Sequence, residues 1–380
     1  MDAVLKHICE QIQSASAART PLRTLGHGSK AFYGHASAGA ALDLSPYKGI
    51  VNYEPSELVV TVRAGTPLDE LEATLAEKNQ CLAFEPPHFQ SQAGTCGGMV
   101  AAGLSGPSRA NVGGVRDYVL GIQMLNGQAD RLTFGGQVMK NVAGYDVSRL
   151  MTGSMGTLGV LTDISLKVLP IAPAETTLVF QIDQVSALAQ LNRWGAQPLP
   201  LNASCWVRDD TAPNAPELLF VRLRGAVAAV QSAQQRMLQD LPGRVMDQAQ
   251  AAPDWQRCRH QQLPFFTPPQ ADANGDAPVL WRLSLPQTAP KLDLAWPQFI
   301  EWHGAQRWLW APWSAQAQLR ALAHSMGGSA NVFRDPDPTA QTSHERFAPL
   351  DTVLSAIHRR LKAEFDPAGI FNPGRMYPSL

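Results

Sequence analysis

The order of apolar and polar residues predicts helices and strands that alternate along the whole chain. Residues 1–22 have a mixed polar pattern that is typical of a helix. A Val-rich run at 58–64 predicts a strand, and the residues after it favour a helix start, with Thr66 as the N-cap and Pro67 in the first turn. Three leucines at helical spacing continue this helix: Leu68, Leu71 and Leu75.

Two more strand signals follow in the first half. Residues 119–125 and 128–134 flank Asn126-Gly127, and these two turn residues predict a hairpin because both tolerate positive φ. Residues 160–169 alternate with a period of two and end at Pro170. Glycines crowd into the residues before 160, whereas prolines spread through the second half, so we place a domain boundary at 170–173.

The second half predicts an α+β arrangement. Helical patterns cover 183–194, 226–241 and 314–326, and strand patterns cover 218–224 and 279–285. An apolar helical stripe precedes the C-terminal tail: Leu354, Ile357, Leu361 and Phe365. We therefore expect helices layered on one antiparallel sheet, with domains at 1–170 and 171–340 and a C-terminal part at 341–380 that packs back on the first domain.

Composition and charge narrow the class of protein. Hydrophobic residues make up 45% of the 380, which excludes a disordered chain. A formal net charge of -1 argues against a nucleic-acid partner and against a polybasic membrane anchor. Charged residues make up only 17%, which is typical either of a surface partly covered by partner subunits or of an enzyme that simply has a low charge.

Cysteine usage and the lack of long apolar runs bear on the compartment. No run reaches the roughly 18 apolar residues of a membrane span, and the N-terminus lacks the pattern of a secretory signal. The five cysteines are scattered and form no CxxC, so we expect neither an iron–sulfur nor a zinc framework. A reducing cytoplasm fits this usage.

The first glycine cluster has the form GxGxxA, in Gly26-His27-Gly28-Ser29-Lys30-Ala31. A dinucleotide fingerprint would have to open a helix, whereas the following residues carry further glycines and a short strand pattern at 41–44. We therefore predict a strand, a tight turn and a strand. The backbone N–H groups of such a turn can bind an anion, although an isolated glycine turn is often only structural.

Two further glycine clusters lie in the same half. The second spans 94–114, and it is either a functional loop or a set of tight turns between helices. The third spans 152–160 and enters the predicted strand directly, which suits a flat ligand against the backbone. Three clusters within one domain, each beside a strand, favour a cofactor site.

At these residues the sequence resembles the FAD-binding fold of the vanillyl-alcohol-oxidase/p-cresol-methylhydroxylase (PCMH-type) flavoproteins. The resemblance implies a two-subdomain FAD-binding domain followed by an α+β cap domain. It also implies that residues 26–30 hold the pyrophosphate, that 95–98 and 113–117 pass the diphosphate and isoalloxazine, and that 159–160 meet the adenosine. The implied cofactor-binding residues are Gly26, His27, Gly28, Ser29, Lys30, Pro87, Thr95, Cys96, Gly97, Gly98, Gly103, Gly113, Gly114, Val115, Arg116, Asp117, Gly159 and Val160.

Within that superfamily the motifs are similar to those of the E-type FAD-binding subunits of glycolate oxidases (glycolate dehydrogenases). They extend over nearly the whole chain and include residues 85–88, 97–100, 115–121, 134–136, 138–146, 148–151, 263–266, 304–308 and 371–377. The resemblance implies a FAD-dependent oxidoreductase acting on CH–OH groups, which oxidises glycolate or a small 2-hydroxy acid to the 2-oxo acid. It further implies two partners, the D-type flavoprotein and the F-type iron–sulfur protein of glycolate oxidase, and peripheral membrane association through the complex.

Two departures from the relatives matter for the chemistry. Members with covalent FAD carry Gly-Gly-His in the pyrophosphate turn, whereas His27 sits one position early, so we expect non-covalent FAD. The D-type flavoproteins and related D-lactate dehydrogenases carry metal-binding histidines in HxH-like patterns, and this chain has none, so we expect no metal. His303 is the lone candidate for a metal ligand, and a lone histidine is more often structural than a ligand.

The catalytic residues are therefore left open. Arg116, Arg307 and Arg375 can bind a carboxylate through their guanidinium groups or can serve as structural contacts. The catalytic candidates are Tyr145, Arg307 and Arg375. Two other functions also remain open, a self-sufficient FAD-dependent oxidoreductase for an alcohol or hydroxy acid and a mainly structural flavin-binding subunit.

Overall fold

The computed structural model describes residues 2–89, 94–136, 146–209, 214–270, 277–336 and 345–380. The chain divides into two compact units. The first contains Met1–Ser105, Gly114–Ile171 and His344–Leu380, and the second contains Gly106–Gly113 and Ala172–Ser343. Residues 106–113, predicted within the first domain, thus group with the second unit. The assignment of separate functions to the three predicted domains stays a prediction.

The elements are numbered along the chain through both units. The helices of the first unit are α1 (Ala3–Ala18), α2 (Leu68–Ala76), α3 (Cys96–Ala102), α5 (Val147–Met151) and α10 (Thr352–Phe365). Its strands are β1 (Leu22–Leu25), β2 (Ala40–Asp43), β3 (Ile50–Glu54), β4 (Val59–Arg63), β5 (Gln80–Cys81), β6 (Val119–Leu125), β7 (Arg131–Gly135), β8 (Val160–Lys167) and β9 (Leu169–Pro170).

The main sheet of the first unit is antiparallel and has the strand order β3–β4–β8–β6–β7. Strands β1 and β2 form a separate parallel pair. One side of α1 is apolar because its leucine and isoleucines recur at helical spacing. That side packs into a core with residues from β1, β2, β6 and the C-terminal tail: Leu5, Ile8, Ile12, Leu22, Leu42, Leu125, Ile370 and Phe371.

A buried ion pair fixes the C-terminal tail of the first unit. The ammonium of Lys362 lies 2.7 Å from Asp366 Oδ2 and also donates to the carbonyls of Thr157 and Phe371. Asp366 in turn accepts from the backbone N–H groups of Ile370 and Phe371. The chain after Asp366 therefore runs beside β1, where Leu22 N donates to Ile370 O and Asn372 N donates to Leu22 O.

The helices of the second unit are α4 (Arg109–Val112), α6 (Gln184–Gly195), α7 (Val227–Asp240), α8 (Gln248–Arg259) and α9 (Gln316–Ser325). Its strands are β10 (Ala174–Gln181), β11 (Leu201–Arg208), β12 (Glu217–Gly225), β13 (Arg244–Met246), β14 (Val279–Ser284), β15 (Phe299–Glu301), β16 (Gln306–Ala311) and β17 (Ser329–Arg334). They form one antiparallel sheet in the order β13–β10–β12–β11–β15–β16–β14–β17.

The two faces of this sheet differ. One face packs against α6, α7 and α9, through large buried residues such as Phe180, Trp194, Trp206 and Trp281. The opposite face meets α8, where the indole N–H of Trp255 donates to Thr177 Oγ1 at 2.9 Å. The α+β fold with helices layered on an antiparallel sheet is therefore confirmed, and the predicted strands and helices of the second half lie within two residues of the observed ones.

Several local predictions were wrong. Pro67, not Thr66, is the N-cap of α2, because the Thr66 hydroxyl bonds the backbone N–H and carbonyl of Gly49. The hairpin between β6 and β7 forms, but its loop runs from 126 to 130 and Ala129 takes the positive φ of 63°. The side chain of Asn126 holds this wider loop by accepting from the N–H groups of Gln128 and Asp130.

The strand predicted at 160–169 forms as β8, which lies between β4 and β6 and is buried on both faces, and as the start of β9. The glycine patterns needed correction. Residues 26–30 do not form a tight link between adjacent strands, because β1 and β2 are parallel and need the longer connection 26–39. The second glycine cluster contains the helices α3 and α4, so the alternative of tight turns between helices describes it better than a long loop.

Candidate functional site

A cavity of about 440 Å³ lies within the first unit, against the segment that joins β1 to β2. We call it the cationic cavity. Its lining comes from β1 and the residues after it, from α3 and from the C-terminal tail: Arg23, Thr24, Leu25, Gly26, His27, Gly28, Ser29, Lys30, Ala31, Tyr33, Ala36, Ser37, Thr95, Gly98, Ala101, Ala102, Met155, Asn372 and Arg375. The structure thus gathers many of the predicted cofactor residues at one place.

The predicted glycine turn is open to this cavity. Gly28 has a φ of 72°, which favours glycine, and no atom lies within 4 Å of the position that a Cβ would occupy. The N–H of Ala31 donates to Gly28 O at 2.9 Å and closes the turn. At Gly26 a Cβ would collide with the Thr95 side chain. Both glycines therefore keep backbone, rather than side chains, at the cavity wall.

The charged groups of the cavity wall are of one sign. Among the described residues that line it there is no Asp or Glu, whereas Arg23, Lys30 and Arg375 are cationic. The ammonium of Lys30 lies 3.2 Å from Ser29 Oγ, and burial lowers its pKa from 10.5 to about 8. Such a wall is suited to an anion, which would offset its positive charges.

The C-terminal tail supplies part of this wall. Arg375 donates to the carbonyls of His35, Lys30 and Ala31 at 2.7, 3.1 and 3.1 Å. Burial lowers the pKa of this guanidinium to about 10, and the neighbouring Arg346 and Arg23 contribute to the same effect. The predicted catalytic candidate Arg375 therefore braces the glycine turn from the tail.

Other wall residues were not predicted from the sequence. Asn372 accepts from Thr24 N at 3.0 Å and donates to Met155 O at 2.8 Å, and it belongs to the quoted motif at 371–377. Thr24 Oγ1 and Ser37 Oγ are buried and have no hydrogen-bond partner. A diphosphate would give these orphaned hydroxyls acceptors, so the residues of the cavity fit a dinucleotide.

Helix α3 forms a further part of the wall. Thr95 is its N-cap and accepts from Gly98 N at 3.2 Å. Gly98 lines the cationic cavity, whereas a Cβ at Gly97 would lie 2.7 Å from the Cβ of Ala64, so Gly97 serves close packing of the helix on a neighbouring segment. Gly97 and Gly159 also line a smaller cavity of about 80 Å³, which shares several residues with the larger one.

The remaining predicted cofactor residues line neither cavity. Some have evident structural roles: Cys96 and Val115 are buried, Gly103 caps α3 with a φ of 64°, and Asp117 accepts from Gly114 N at 2.8 Å. The rest of this set are Pro87, Arg116 and Val160 in the first unit and Gly113 in the second.

The catalytic candidate Arg307 and the lone histidine His303 are both buried in the second unit. Arg307 is fully buried in the second unit and donates to the carbonyls of Gly304, Pro290 and Ala289, which leaves it a structural role. Burial lowers the pKa of His303 to about 4, so this imidazole is neutral beside Asn111. Tyr145 lies outside the described residues. Within the described ranges no three His, Cys, Asp or Glu side chains are grouped so as to hold a metal ion.

Comparison with known proteins now identifies the family. Residues 5–135 match the model of a FAD binding domain. Over 373 residues the chain is 44% identical to the "Glycolate oxidase subunit GlcE" of Escherichia coli (strain K12). The alignment covers 98% of this chain and 97% of the relative. The chain belongs to the GlcE family. It is therefore a FAD-binding chain of a CH–OH oxidoreductase, as the resemblance implied.

Other similarities are more distant. The "Glycolate oxidase subunit GlcD" of Bacillus subtilis (strain 168) is 29% identical over 45% of this chain and 37% of its own length. Among solved structures, a 4-ethylphenol oxidase from Gulosibacter chungangensis covers 99% of this chain and 88% of its own at 11% identity, with a TM-score of 0.68. The structure of p-cresol methylhydroxylase covers 98% of this chain and 87% of its own at 14% identity, with a TM-score of 0.66. The PCMH-type fold is thus confirmed.

None of the described helices combines the length and the apolar character that crossing a bilayer requires.

The low pKa of Lys30 predicts a pH dependence of FAD binding. Below pH 8 the ammonium is charged and available to the diphosphate, and above pH 8 its proton must be taken up on binding. We expect the dissociation constant of FAD to rise by roughly fivefold to tenfold from pH 7.5 to pH 9, measured by calorimetric titration of the apoprotein.

The control for this prediction is Lys30→Arg, which stays charged and should bind FAD with little change over the same range. Lys30→Met should bind roughly tenfold or more weakly at pH 7.5 and should also lose the pH dependence. A dissociation constant of the unmodified protein that does not change with pH would show that Lys30 does not face the cofactor.

Proposed function

We propose that this chain is the FAD-carrying subunit of a multi-subunit glycolate oxidase and that it holds its FAD non-covalently. The enzyme would oxidise glycolate, or a similarly small 2-hydroxy acid, to glyoxylate or the matching 2-oxo acid. The observation that carries the proposal is the cationic cavity, with its glycine turn, in a chain that is 44% identical to GlcE along nearly its full length.

The residues that would hold the FAD diphosphate are those of the glycine turn and the tail. Backbone at Gly26 and Gly28 leaves room for the phosphates, while Lys30 and Arg375 offset their charge. The hydroxyls of Thr24 and Ser37 lack partners and would donate to phosphate oxygens. Bound there, FAD would supply a two-electron acceptor for the hydroxy acid that can pass electrons on singly.

Non-covalent attachment is supported by the turn sequence Gly26-His27-Gly28. The relatives with covalent FAD place histidine one position later, and here that position is Gly28. His27 lies at the cavity wall, so its chemical state can be tested directly.

The state of two arginines and the spacing of the cysteines support a dependence on partners. The donor groups of Arg307 and Arg375 are engaged with backbone carbonyls, and the five cysteines are scattered along the sequence without a CxxC. We therefore propose the F-type iron–sulfur protein of glycolate oxidase as the electron acceptor and the D-type flavoprotein as a second partner. The complex would lie in the cytoplasm, associated through its partners with the inner face of the cell membrane.

The attachment is tested by acid precipitation of the purified yellow protein. We expect all of the flavin to remain in the supernatant, because no bond to His27 or to another side chain holds it. Yellow colour that stays in the pellet, together with a peptide carrying His27 whose mass is raised by FAD, would contradict non-covalent binding.

The dependence on partners is tested by glycolate-dependent dye reduction. The FAD-loaded chain alone should reduce dye little, and adding the two partner proteins should restore turnover. As a control, the partners without this chain should also be inactive. Rapid turnover by the purified chain alone would favour a self-sufficient oxidoreductase, and full activity with an apoprotein unable to bind FAD would favour a structural role.

A further inference from the structure

A second cavity, of about 450 Å³, lies within the second unit, on the sheet face opposite to α6, α7 and α9. We call it the aromatic cavity. It is bounded by strands β10, β11, β12, β13 and β15 of the sheet, by helix α8 and by the segment after that helix. Its lining is Thr177, Cys205, Val207, Arg208, Asp209, Phe220, Met246, Ala251, Asp254, Trp255, Cys258, Leu263, Pro264, Phe265 and Phe299. None of the residues assigned to FAD is among them.

The walls of this cavity are aromatic. Four ring side chains surround it, and the rings of Phe265 and Phe299 lie 5.3 Å apart with an interplanar angle of 34°. The other face of the same sheet packs against buried side chains of α6, α7 and α9. A volume of this size falls in the range of roughly 300–1,000 Å³ that is typical of small-molecule sites.

The polar groups inside the aromatic cavity are neutral hydrogen-bonding groups. Thr177 Oγ1 accepts from Trp255 Nε1, which leaves the hydroxyl proton of Thr177 to donate. The thiol of Cys258 donates to Glu301 at 3.4 Å, and burial raises the pKa of Cys205. Both thiols are therefore uncharged at neutral pH.

Three residues of the lining carry a charge, Arg208, Asp254 and the half-buried Asp209. Asp254 is ion-paired with Arg257 at 2.6 Å on the surface of α8. Of the described residues that line the cavity, Arg208 alone is cationic, and it is exposed. The buried guanidinium of Arg222 lies 4.8 Å from the Trp255 ring and donates to Asn202, and it is not part of the lining. A small hydroxy acid anion would lose its hydration here without a partner.

We propose that the aromatic cavity binds a flat, uncharged ring compound that carries one hydroxyl or carbonyl oxygen. The rings of Trp255, Phe265 and Phe299 pack on its faces and edges, and the Thr177 hydroxyl bonds its oxygen. This site is independent of the proposed FAD site and of the proposed reaction.

The probe for a test is 2-naphthol, which is flat, uncharged at neutral pH and carries one hydroxyl. Calorimetric titration of the FAD-loaded chain should give a dissociation constant of about 1 mM or tighter. The matched anion, 2-naphthoate, should bind at least tenfold more weakly, because its carboxylate finds no cation inside. No measurable heat with 2-naphthol, or equal binding of both probes, would contradict the proposal.

Two variants locate the binding. Val207→Trp fills the cavity from β11 and should abolish 2-naphthol binding. Val227→Trp makes the same change at an exposed residue of α7, on the other side of the sheet, and should bind as the unmodified chain does. Equal binding by both variants would place the probe elsewhere.

A measurement on the unmodified chain is independent of how the variants fold. Hydrogen–deuterium exchange of the backbone amides of α8, followed by mass spectrometry, should slow severalfold in the presence of 2-naphthol. Helix α1 of the first unit is the internal control and should exchange at an unchanged rate. An unchanged rate in α8 would overturn the assignment of the cavity.

Discussion

The geometry of the candidate FAD site depends on the buried ion pair between Lys362 and Asp366. This pair, with the carbonyls and N–H groups that it binds, directs the chain after α10 back along β1. Asn372 and Arg375 thereby reach the cationic cavity, where Asn372 bonds Thr24 of β1 and Arg375 bonds the carbonyls of Lys30 and Ala31 at the glycine turn. Losing one partner of such a pair costs roughly 3–5 kcal/mol, because the other charge stays buried. The site is therefore as much a product of the tail as of the glycine turn.

The cationic cavity places charges of one sign together at a cost that a ligand can offset. Burial lowers the pKa values of Lys30 and Arg375, which shows that their charged forms are poorly solvated there. Two buried hydroxyls, those of Thr24 and Ser37, lack acceptors in the same wall. A diphosphate would offset both deficits at once, so the unmet hydrogen bonds and charges of the wall fit the cofactor that the FAD binding domain implies.

Much of this site could be predicted from the sequence, because glycines at 26, 28 and 98 are local signals of close backbone approach. The α+β class followed equally from local periodicity. The contributions of Thr24, Ser37 and Asn372 could not be predicted, since they depend on the parallel pairing of β1 with β2 and on the return of the tail, which no local pattern encodes. The predicted cofactor residues include Gly97, which lies beside Gly98 in the sequence. In the structure a Cβ at Gly97 would collide with Ala64, so this glycine allows close packing, which no local pattern indicates.

The central claim, that the glycine turn receives the cofactor, is tested most directly by FAD binding to two matched variants. Gly28 and Gly49 both have positive φ, 72° and 123°, and neither has an atom within 4 Å of the Cβ position. Gly28→Val and Gly49→Val therefore impose a similar kind of backbone strain, but only Gly28 lines the cationic cavity. Calorimetric titration with FAD should show lost binding for Gly28→Val and nearly unchanged binding for Gly49→Val, with both proteins folded by circular dichroism. Full FAD binding by folded Gly28→Val would contradict the account.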